Sequence, residues 1–325
     1  MTTEPKVTWL LPSLNLMPYL PETLASIEAQ TYRNWEIMAW DNGSTDGTVE
    51  ELKRWIPSRL PGRVVTDGLM PLGRCLQQMV LECSTEYCAR IDGDDINDPT
   101  RLEKQVAFLE QNPEIALVGA QVSHIDANGA EYGLYDPMPL LHDDIVHRML
   151  HRWVMWHPTV FFRRSAVLEA GNYHPDPLAE DNCLWPRLAV KHRLANIDEI
   201  LLKYRVHDAS VTQRANAAVR EKRGDNGLLR CFQLNGPLLF GACEQELTQL
   251  RQRQLGCAIV LLYRIARHLE RTQGGNWRAR MQSDSYIEAC HALIPRRDLV
   301  SRAAIAVLKR IPHRGKSPAR SALPR

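Results

Sequence analysis

The sequence predicts an α/β fold in which helices flank a sheet. Short apolar segments alternate with longer segments whose apolar residues recur every three or four positions, as expected of buried strands and amphipathic helices. The first segment, Val7–Leu11, is nearly all apolar and is stopped by Pro12, which is typical of a strand buried on both faces of a parallel sheet. Polar clusters follow three of the predicted strands, at the end where α/β sheets bind their ligands.

Strands and helices alternate regularly through the N-terminal part of the chain. The predicted helix Leu20–Gln30 has Pro21 in its first turn, where proline is tolerated, and carries Leu24 and Ile27 at helical spacing. The other predicted elements of this part are the strands Trp35–Trp40, Arg63–Val65 and Tyr87–Ile91 and the helices Thr48–Trp55 and Leu72–Cys83. This order indicates β-α-β units rather than a purely antiparallel sheet.

The middle of the chain mixes hairpin and helical patterns. Val122–Ile125 and Glu131–Leu134 flank the turn sequence Asp126-Ala127-Asn128-Gly129, which predicts a β-hairpin. Glu180–His192 reads as a helix, although Pro186 should bend it. Further predicted elements are the strands Ile115–Gly119, Thr159–Arg163 and Ile197–Tyr204 and the helices Leu102–Gln111, Asp143–Met149 and Ser165–Ala170.

The C-terminal third differs in pattern from the rest. From about Ala215 to Val307 the apolar spacing is mainly helical, so we predict an α/β domain in residues 1–212 and a helical extension in residues 213–325. The extension ends in a basic tail, Arg296–Arg325, which has nine Lys or Arg and one Asp. Two interpretations of this tail stay open, an amphipathic helix on a membrane surface and a solvated basic terminus.

Composition excludes several classes of protein. The net charge of +2 argues against a protein that coats nucleic acid. The eight cysteines form no C-x-x-C pair, so reduced thiols in a cytoplasmic protein are expected rather than a zinc knuckle or a disulfide framework. The N-terminus lacks the apolar core of a signal peptide, and no apolar run is long enough for a membrane span. We therefore expect a cytoplasmic protein, with peripheral contact at the inner face of the membrane as an option.

An acidic cluster, Asp92-Gly93-Asp94-Asp95, follows the fourth predicted strand. Carboxylates gathered at a strand end repel each other unless a cation lies between them, and oxygen ligands suit Mg²⁺ or Mn²⁺. Such ions keep open positions for the phosphates of a substrate. A solvated acidic turn is the alternative, since Asp and Gly are turn residues.

A second cluster, Asp41-Asn42-Gly43-Ser44-Thr45-Asp46-Gly47-Thr48, follows the second predicted strand. Asp41 can accept hydrogen bonds from a nucleobase or a ribose, and Gly43 and Gly47 allow the backbone to turn tightly. The pairing of this cluster with the acidic cluster one α/β unit later indicates a site for a nucleoside diphosphate.

With these motifs in place, the sequence resembles the inverting family 2 glycosyltransferases, which have the GT-A fold. The resemblance covers roughly Val7 to Thr212. The matching motifs, in chain order, are Pro12-Ser13-Leu14-Asn15, Gln30-Thr31-Tyr32-Arg33-Asn34-Trp35-Glu36, Asp41–Thr48, Asp92-Gly93-Asp94, Pro99-Thr100-Arg101-Leu102, Glu180-Asp181 and Tyr204-Arg205-Val206-His207. The resemblance implies a GT-A mixed sheet, flanked by helices, that binds a nucleotide-diphospho-sugar.

The resemblance also assigns roles to individual residues. It implies that Asp181 is the general base of a single displacement that inverts the anomeric carbon. The nucleoside and its diphosphate would be bound by Pro12, Ser13, Asn15, Asp41, Asp92, Gly93 and Asp94. Asp92, Asp94 and His207 would bind Mn²⁺ or Mg²⁺. The donor would be a nucleoside-diphosphate sugar, with a UDP-sugar favoured, and the acceptor a glycan or lipid-linked molecule in cell-surface polysaccharide or glycolipid synthesis.

The sequence departs from the family's pattern in places. Asn42 stands where many members have a second Asp, so Asp41 would act alone. Pro71-Leu72-Gly73-Arg74 stands where many members have Asn-x-Gly, so the resemblance assigns no base or phosphate contact to that helix. The Gln-x-x-Arg-Trp motif of processive members is absent, which favours the addition of single sugars.

Several residues keep two interpretations. Glu180 is either functional or a helix-start acid, and His157 is either on the acceptor side or structural. Three tryptophans suit either stacking on a sugar or core packing, and they are Trp153, Trp156 and Trp185. A sugar nucleotidyltransferase is an alternative function, although the segment after the first strand is not the Gly-rich, Arg-containing loop that it would need. A non-catalytic relative that binds nucleotide sugars or carbohydrate is another, although it would be expected to lose Asp94 or Asp181.

Overall fold

The computed structural model describes residues 4–134, 137–149, 153–175, 180–208 and 210, together with positions 263 and 267. By its internal contacts the chain divides into two compact units, Met1–Asn235 and Gly236–Arg325, and nearly all described residues belong to the first. The predicted boundary near Thr212, the basic tail and all of the helical extension apart from positions 263 and 267 lie outside the described residues and stay predictions.

Within these ranges the chain forms nine strands, seven α-helices and one 3₁₀ turn. The strands are β1 Val7–Ser13, β2 Trp35–Asp41, β3 Gly62–Thr66, β4 Tyr87–Arg90, β5 Ile96–Asn97, β6 Ile115–Ile125, β7 Glu131–Leu134, β8 Phe161–Arg163 and β9 Arg193–Arg205. The helices are α1 Leu20–Glu28, α2 Thr48–Trp55, α3 Leu72–Glu82, α4 Arg101–Gln111, α5 His142–Arg148, α6 Arg164–Glu169 and α7 Glu180–Lys191, and the 3₁₀ turn is His157–Thr159.

One mixed sheet contains all nine described strands. Its order is β3-β2-β1-β4-β8-β6-β9-β5, and β7 pairs with β6 off this path. The four strands from β3 to β4 are parallel, as the alternation of elements predicts, whereas β8 is antiparallel to both of its neighbours. Ser13 lies opposite Asp41, so the polar segments after β1 and β2 meet at the same edge of the sheet.

A buried arginine ties the middle of the sheet to α4. Arg101 is fully buried, and its guanidinium donates hydrogen bonds to the carbonyl of Arg90 at 2.8 Å, to Asn97 Oδ1 at 2.6 Å and to Gln105 Oε1 at 3.1 Å. Each of its three nitrogens thereby donates to a different element, β4, β5 or α4, and the ring of Trp9 lies 5.1 Å away. This network fixes both ends of the acidic turn between β4 and β5.

The structure corrects several predicted boundaries. The strands predicted at Ile115–Gly119 and Val122–Ile125 are one strand, because the register of β6 with β9 shifts near Gln121 and the pairing continues. Thr159 ends the 3₁₀ turn instead of beginning a strand. The two-residue strand β5 was not predicted, because only its pairing with β9 defines it.

None of the described helices has both the length and the apolar character needed to cross a membrane.

Candidate functional site

The acidic cluster lies in the turn between β4 and β5. Asp92, Asp94 and Asp95 each place one carboxylate oxygen within 4.8 Å of the others. Gly93 allows this turn to lie against the segment after β1, since a Cβ at this position would stand only 2.1 Å from Leu16 Cδ1. The motif after β4 is therefore packed directly on the motif after β1.

The three carboxylates have different partners. Asp92 forms a two-point ion pair with Arg90, at 2.5 and 2.6 Å. Asp94 Oδ2 lies 2.9 Å from His207 Nε2, so the structure brings together two residues that are 113 positions apart in the chain. Asp95 Oδ1 accepts the backbone N–H of Arg205 at 2.8 Å, whereas its buried Oδ2 has no hydrogen-bond partner among the described residues.

The electrostatics of the cluster fit a cation. Loss of solvent raises the pKa of Asp92 to about 6, against the opposing effect of Arg90. Burial, followed by the charges of Asp94 and Asp92, raises the pKa of Asp95 well above its ordinary value. Clustered oxygen donors, mutual repulsion and the unpartnered Asp95 oxygen are what a hard divalent cation would relieve.

Hydrogen bonds between backbone N–H groups and side chains connect the segments after β1 and β2. The backbone N–H of Asn15 donates to Ser44 Oγ at 2.8 Å, and Asn15 Oδ1 accepts the N–H of Thr45 at 2.9 Å. Pro12 and Ser13 form the end of β1, just before Asn15 and its hydrogen bonds. Asp41 Oδ2 accepts the N–H groups of Gly43 and Ser44, each at 3.0 Å.

Asp41 retains one uncommitted acceptor. Its Oδ1 atom is buried and has no hydrogen-bond partner within the described part of the chain. A buried carboxylate oxygen without a donor is costly, so a ligand that offers an N–H or O–H group would be favoured there.

A second group of buried polar residues surrounds the start of α7. Asp181 Oδ1 accepts two hydrogen bonds from Asn182, from the backbone N–H at 2.7 Å and from Nδ2 at 3.1 Å. Burial, and then the charge of Glu180, raises the pKa of Asp181. Glu180 Oε1 lies 3.3 Å from His157 Nδ1.

His157 has both ring nitrogens engaged. Nδ1 faces Glu180, and Nε2 lies 3.1 Å from the hydroxyl of Tyr173. Burial lowers the pKa of His157 well below its usual range, so the ring is neutral near pH 7 and can donate one of these bonds and accept the other. Trp185 is fully buried and packs edge-on against this ring at 5.6 Å.

The two other tryptophans differ in exposure. Trp153 is half exposed, and Trp156 packs on Tyr204 with ring centroids 5.2 Å apart. Of the two interpretations, sugar stacking and core packing, the structure supports core packing for Trp185, which is fully buried.

Arg90 links the acidic cluster to the start of α7. Its buried guanidinium pairs with Asp92, and the charge of Arg90 also acts on Glu180 and Asp181. Sequence reasoning missed Arg90 and Tyr173. An arginine inside an otherwise apolar strand is a signal that could have identified Arg90, whereas Tyr173 carries no such signal.

The profile of the family described as "Glycosyl transferase family 2" matches residues 8–170. This chain belongs to glycosyl transferase family 2. The matched residues include the segments after β1 and β2 and the acidic cluster, while Asp181 and His207 lie beyond them.

Relatives of this glycosyltransferase include named biosynthetic enzymes. It is 30% identical over 203 residues to the O-antigen biosynthesis glycosyltransferase WbnJ of Escherichia coli, which covers 61% of this chain and 79% of the relative. It is 24% identical over 201 residues to the UDP-Gal:alpha-D-GlcNAc-diphosphoundecaprenol beta-1,3-galactosyltransferase of Escherichia coli, covering 60% and 72%.

Solved structures share the fold of this glycosyltransferase. S. aureus TarS 1-349 in complex with UDP-GlcNAc superposes with a TM-score of 0.58 at 15% identity, covering 93% of this chain and 89% of that one. The mannosyltransferase PcManGT from Pyrobaculum calidifontis in complex with GDP-Man and Mn²⁺ gives a TM-score of 0.51 at 16% identity, covering 94% and 87%. The predicted GT-A fold is confirmed.

Proposed function

We propose that this glycosyltransferase moves a sugar from a nucleoside-diphosphate sugar to an acceptor hydroxyl with inversion at the anomeric carbon. The observation that carries the proposal is the placement of two carboxylate groups around Arg90. Arg90 pairs with Asp92 of the acidic cluster, and its charge also acts on the carboxylates of Glu180 and Asp181. We take the acidic cluster as the donor-binding group and a carboxylate at the start of α7 as the proton acceptor of one reaction.

The donor's nucleoside is assigned to the edge of the sheet at β1 and β2. Pro12, Ser13 and Asn15 form one side, and the free Oδ1 atom of Asp41 accepts a hydrogen bond from the base. Uracil and guanine both present a ring N–H to such an acceptor. We favour a UDP-sugar, supported by the UDP-GlcNAc bound to TarS and the UDP-Gal in the name of the Escherichia coli relative.

The diphosphate is assigned to the acidic cluster. Asp92, Asp94 and His207 would hold Mn²⁺ or Mg²⁺, and Asp94 would be the more direct ligand because Arg90 already pairs with both oxygens of Asp92. Gly93 would let the turn that carries them pack against Leu16, beside the donor. A divalent ion bound there would neutralise charge on the departing nucleoside diphosphate. The Mn²⁺ in the PcManGT complex supports this assignment.

The proton transfer is assigned to Asp181. Its carboxylate takes the proton of the acceptor hydroxyl as that oxygen bonds to the anomeric carbon, and the bond from this carbon to the diphosphate oxygen breaks on the opposite face. One displacement inverts the configuration and needs no covalent intermediate. His157 is a poor alternative base, because both of its nitrogens are already engaged.

The acceptor is proposed to be a glycan or a lipid-linked sugar in cell-surface polysaccharide or glycolipid synthesis. The O-antigen biosynthesis role in the name of WbnJ and the diphosphoundecaprenol in the name of the galactosyltransferase support this class. A sugar nucleotidyltransferase is disfavoured by the loop after β1. The N–H groups of Asn15, Leu16 and Met17 donate to side chains of residues 44–48, so they are not available to bind a triphosphate.

A screen of nucleotide sugars tests this function. The protein is incubated with UDP-, GDP-, CDP- and TDP-sugars in Mn²⁺ or Mg²⁺, and the released nucleoside diphosphate is measured. We expect release from one donor class, with the UDP-sugars leading. Release of pyrophosphate from a nucleoside triphosphate and a sugar phosphate, without donor hydrolysis, would instead establish a nucleotidyltransferase.

The pH dependence of transfer should report on Asp181. Only the ionised carboxylate accepts a proton, so the transfer rate falls when Asp181 becomes protonated. Because the pKa of Asp181 is raised, this fall begins at a higher pH than it would for an ordinary aspartate. Glu180 contributes to that raised pKa, while His157 and Arg90 oppose it. The variant Glu180→Gln should therefore move the acid limb of the kcat profile to lower pH. An unchanged limb would show that another group controls it.

The basic tail is proposed to touch the inner face of the membrane, which would bring a cytoplasmic enzyme to a lipid-linked acceptor. Truncation after Pro295 should leave donor hydrolysis intact and reduce sedimentation with anionic vesicles, more strongly at low salt because surface charges are screened as salt rises. Uncharged phosphatidylcholine vesicles serve as the control. Equal binding of both proteins to anionic vesicles would remove the membrane interpretation.

A further inference from the structure

Asn42 makes a two-point contact with the loop after β3. Its Nδ2 group donates to the carbonyl of Met70 at 2.6 Å, and its Oδ1 atom accepts the N–H of Met70 at 2.7 Å. Only a side-chain amide can make both bonds, because an aspartate could accept the N–H but would face the carbonyl with a second acceptor. The residue that departs from the family's usual Asp therefore has a specific partner in this chain.

The contact holds residues 67–71 beside the end of β2, where Asp41 lies. The N–H of Asp67 donates to the carbonyl of Asp41 at 3.3 Å. Farther along, the Cβ atom of Leu69 lies 3.9 Å from the position that a Cβ on Gly43 would take. Loop 67–71 is thus fixed beside Asp41 at its first residue by the Asp67 hydrogen bond and at Met70 by the Asn42 bonds, and Leu69 lies between these two points.

Exposed leucines lie on the loops that follow the two neighbours of β2, the strand that ends at Asp41. Strand β2 lies between β1 and β3, so the loop after β1, with Leu14, and the loop after β3, with Leu69, extend beyond neighbouring strands. Leu69 is 76% exposed and Leu14 is 40% exposed. Covering an exposed apolar side chain with a flat apolar surface lowers the free energy, because apolar area is removed from water. The two faces of a nucleobase are such surfaces.

We propose that Asn42 is a positioning residue that holds loop 67–71 as one wall of the nucleobase pocket. Leu69 covers one face of the base and Leu14 the other, while the free oxygen of Asp41 receives the N–H at the edge of the base. This inference rests on the proposed function, because it takes a nucleoside diphosphate as the ligand of this edge of the sheet.

Calorimetry with two probes separates the base from the diphosphate. The first probe is whichever of UDP, GDP, CDP and ADP the unmodified protein binds most tightly in Mn²⁺, and the second is inorganic pyrophosphate in Mn²⁺. Asn42→Asp should weaken nucleotide binding about tenfold, since one bond is lost and a carboxylate oxygen faces a carbonyl. Pyrophosphate binding should stay unchanged, because it does not involve the base.

Matched variants control for general effects. Asn112 also donates from Nδ2 to a backbone carbonyl, that of Phe108 at 2.7 Å at the end of α4, so Asn112→Asp should leave nucleotide affinity unchanged. Leu69→Ser should weaken nucleotide binding by roughly fivefold, whereas the same change at Leu81, a half-exposed leucine of α3, should not. Thermal unfolding of each variant shows that it is folded.

The outcomes separate the inference from the function on which it rests. Wild-type affinity in Asn42→Asp, or equal weakening of nucleotide and pyrophosphate, would overturn the role of Asn42 while leaving the proposed function standing. Failure of the unmodified protein to bind any of the four nucleotides would overturn the proposed function and this inference with it.

Discussion

Replacing Asp181 by Asn is expected to lower the rate of sugar transfer by roughly 10²- to 10⁴-fold, the usual size of a general-base contribution. The amide keeps the shape of the side chain and can still accept hydrogen bonds from Asn182, so the start of α7 should be preserved. It cannot take a proton from the acceptor. Donor and metal affinity should therefore stay close to those of the unmodified protein.

The measurement is the transfer rate at saturating donor together with the Kd of the donor. Glu180→Gln is the matched variant, since it neutralises the adjacent carboxylate that contacts His157. It should cost less than Asp181→Asn. A variant pair in which Asp181→Asn keeps its rate and Glu180→Gln loses it would show that Glu180 is the base. If neither changes, the base lies elsewhere.

Replacing Asp94 by Ala is expected to reduce transfer by about 10³-fold or more, because several kcal/mol of charge stabilisation at the leaving diphosphate would be lost with the cation. The change also removes the partner of His207. The fold should survive, since the substitution relieves repulsion among three neighbouring carboxylates.

Titration with Mn²⁺ by calorimetry, and UDP binding with and without Mn²⁺, measure the metal directly. Asp94→Ala should bind Mn²⁺ weakly and lose the metal-dependent part of UDP binding. Asp98→Asn, a change in a nearby carboxylate that instead bonds to Thr100, should behave like the unmodified protein. Full turnover of the unmodified protein in excess EDTA would refute the metal requirement.

Much of the fold could be predicted because its signals are local. The apolar run of β1, the alternation of strands and helices, and the hairpin around Asn128 each depend on neighbouring residues. The clusters after β1, β2 and β4 could also be placed at one edge, because parallel strands bring their carboxyl ends together. The glycosyltransferase activity followed from the family resemblance and the profile match, not from periodicity or spacing.

The missed features depend on long-range contacts. Strand β5 has only two residues and exists through its pairing with β9, about a hundred positions later. The Asn42–Met70 contact joins two loops, and its amide would look like an ordinary turn residue in the sequence. Propensity and periodicity carry no information about such partners.

The sequence by itself determined the α/β class, the strands that carry the polar clusters and the candidate carboxylates Asp41, Asp94 and Asp181. Only the tertiary structure decided which groups contact the acidic residues of the site. Arg90 pairs with Asp92, His207 reaches Asp94, and His157 engages Glu180 and Tyr173. The physical reason is that a buried charge must find its partner in space, and the folded sheet, not the spacing along the chain, sets which groups meet.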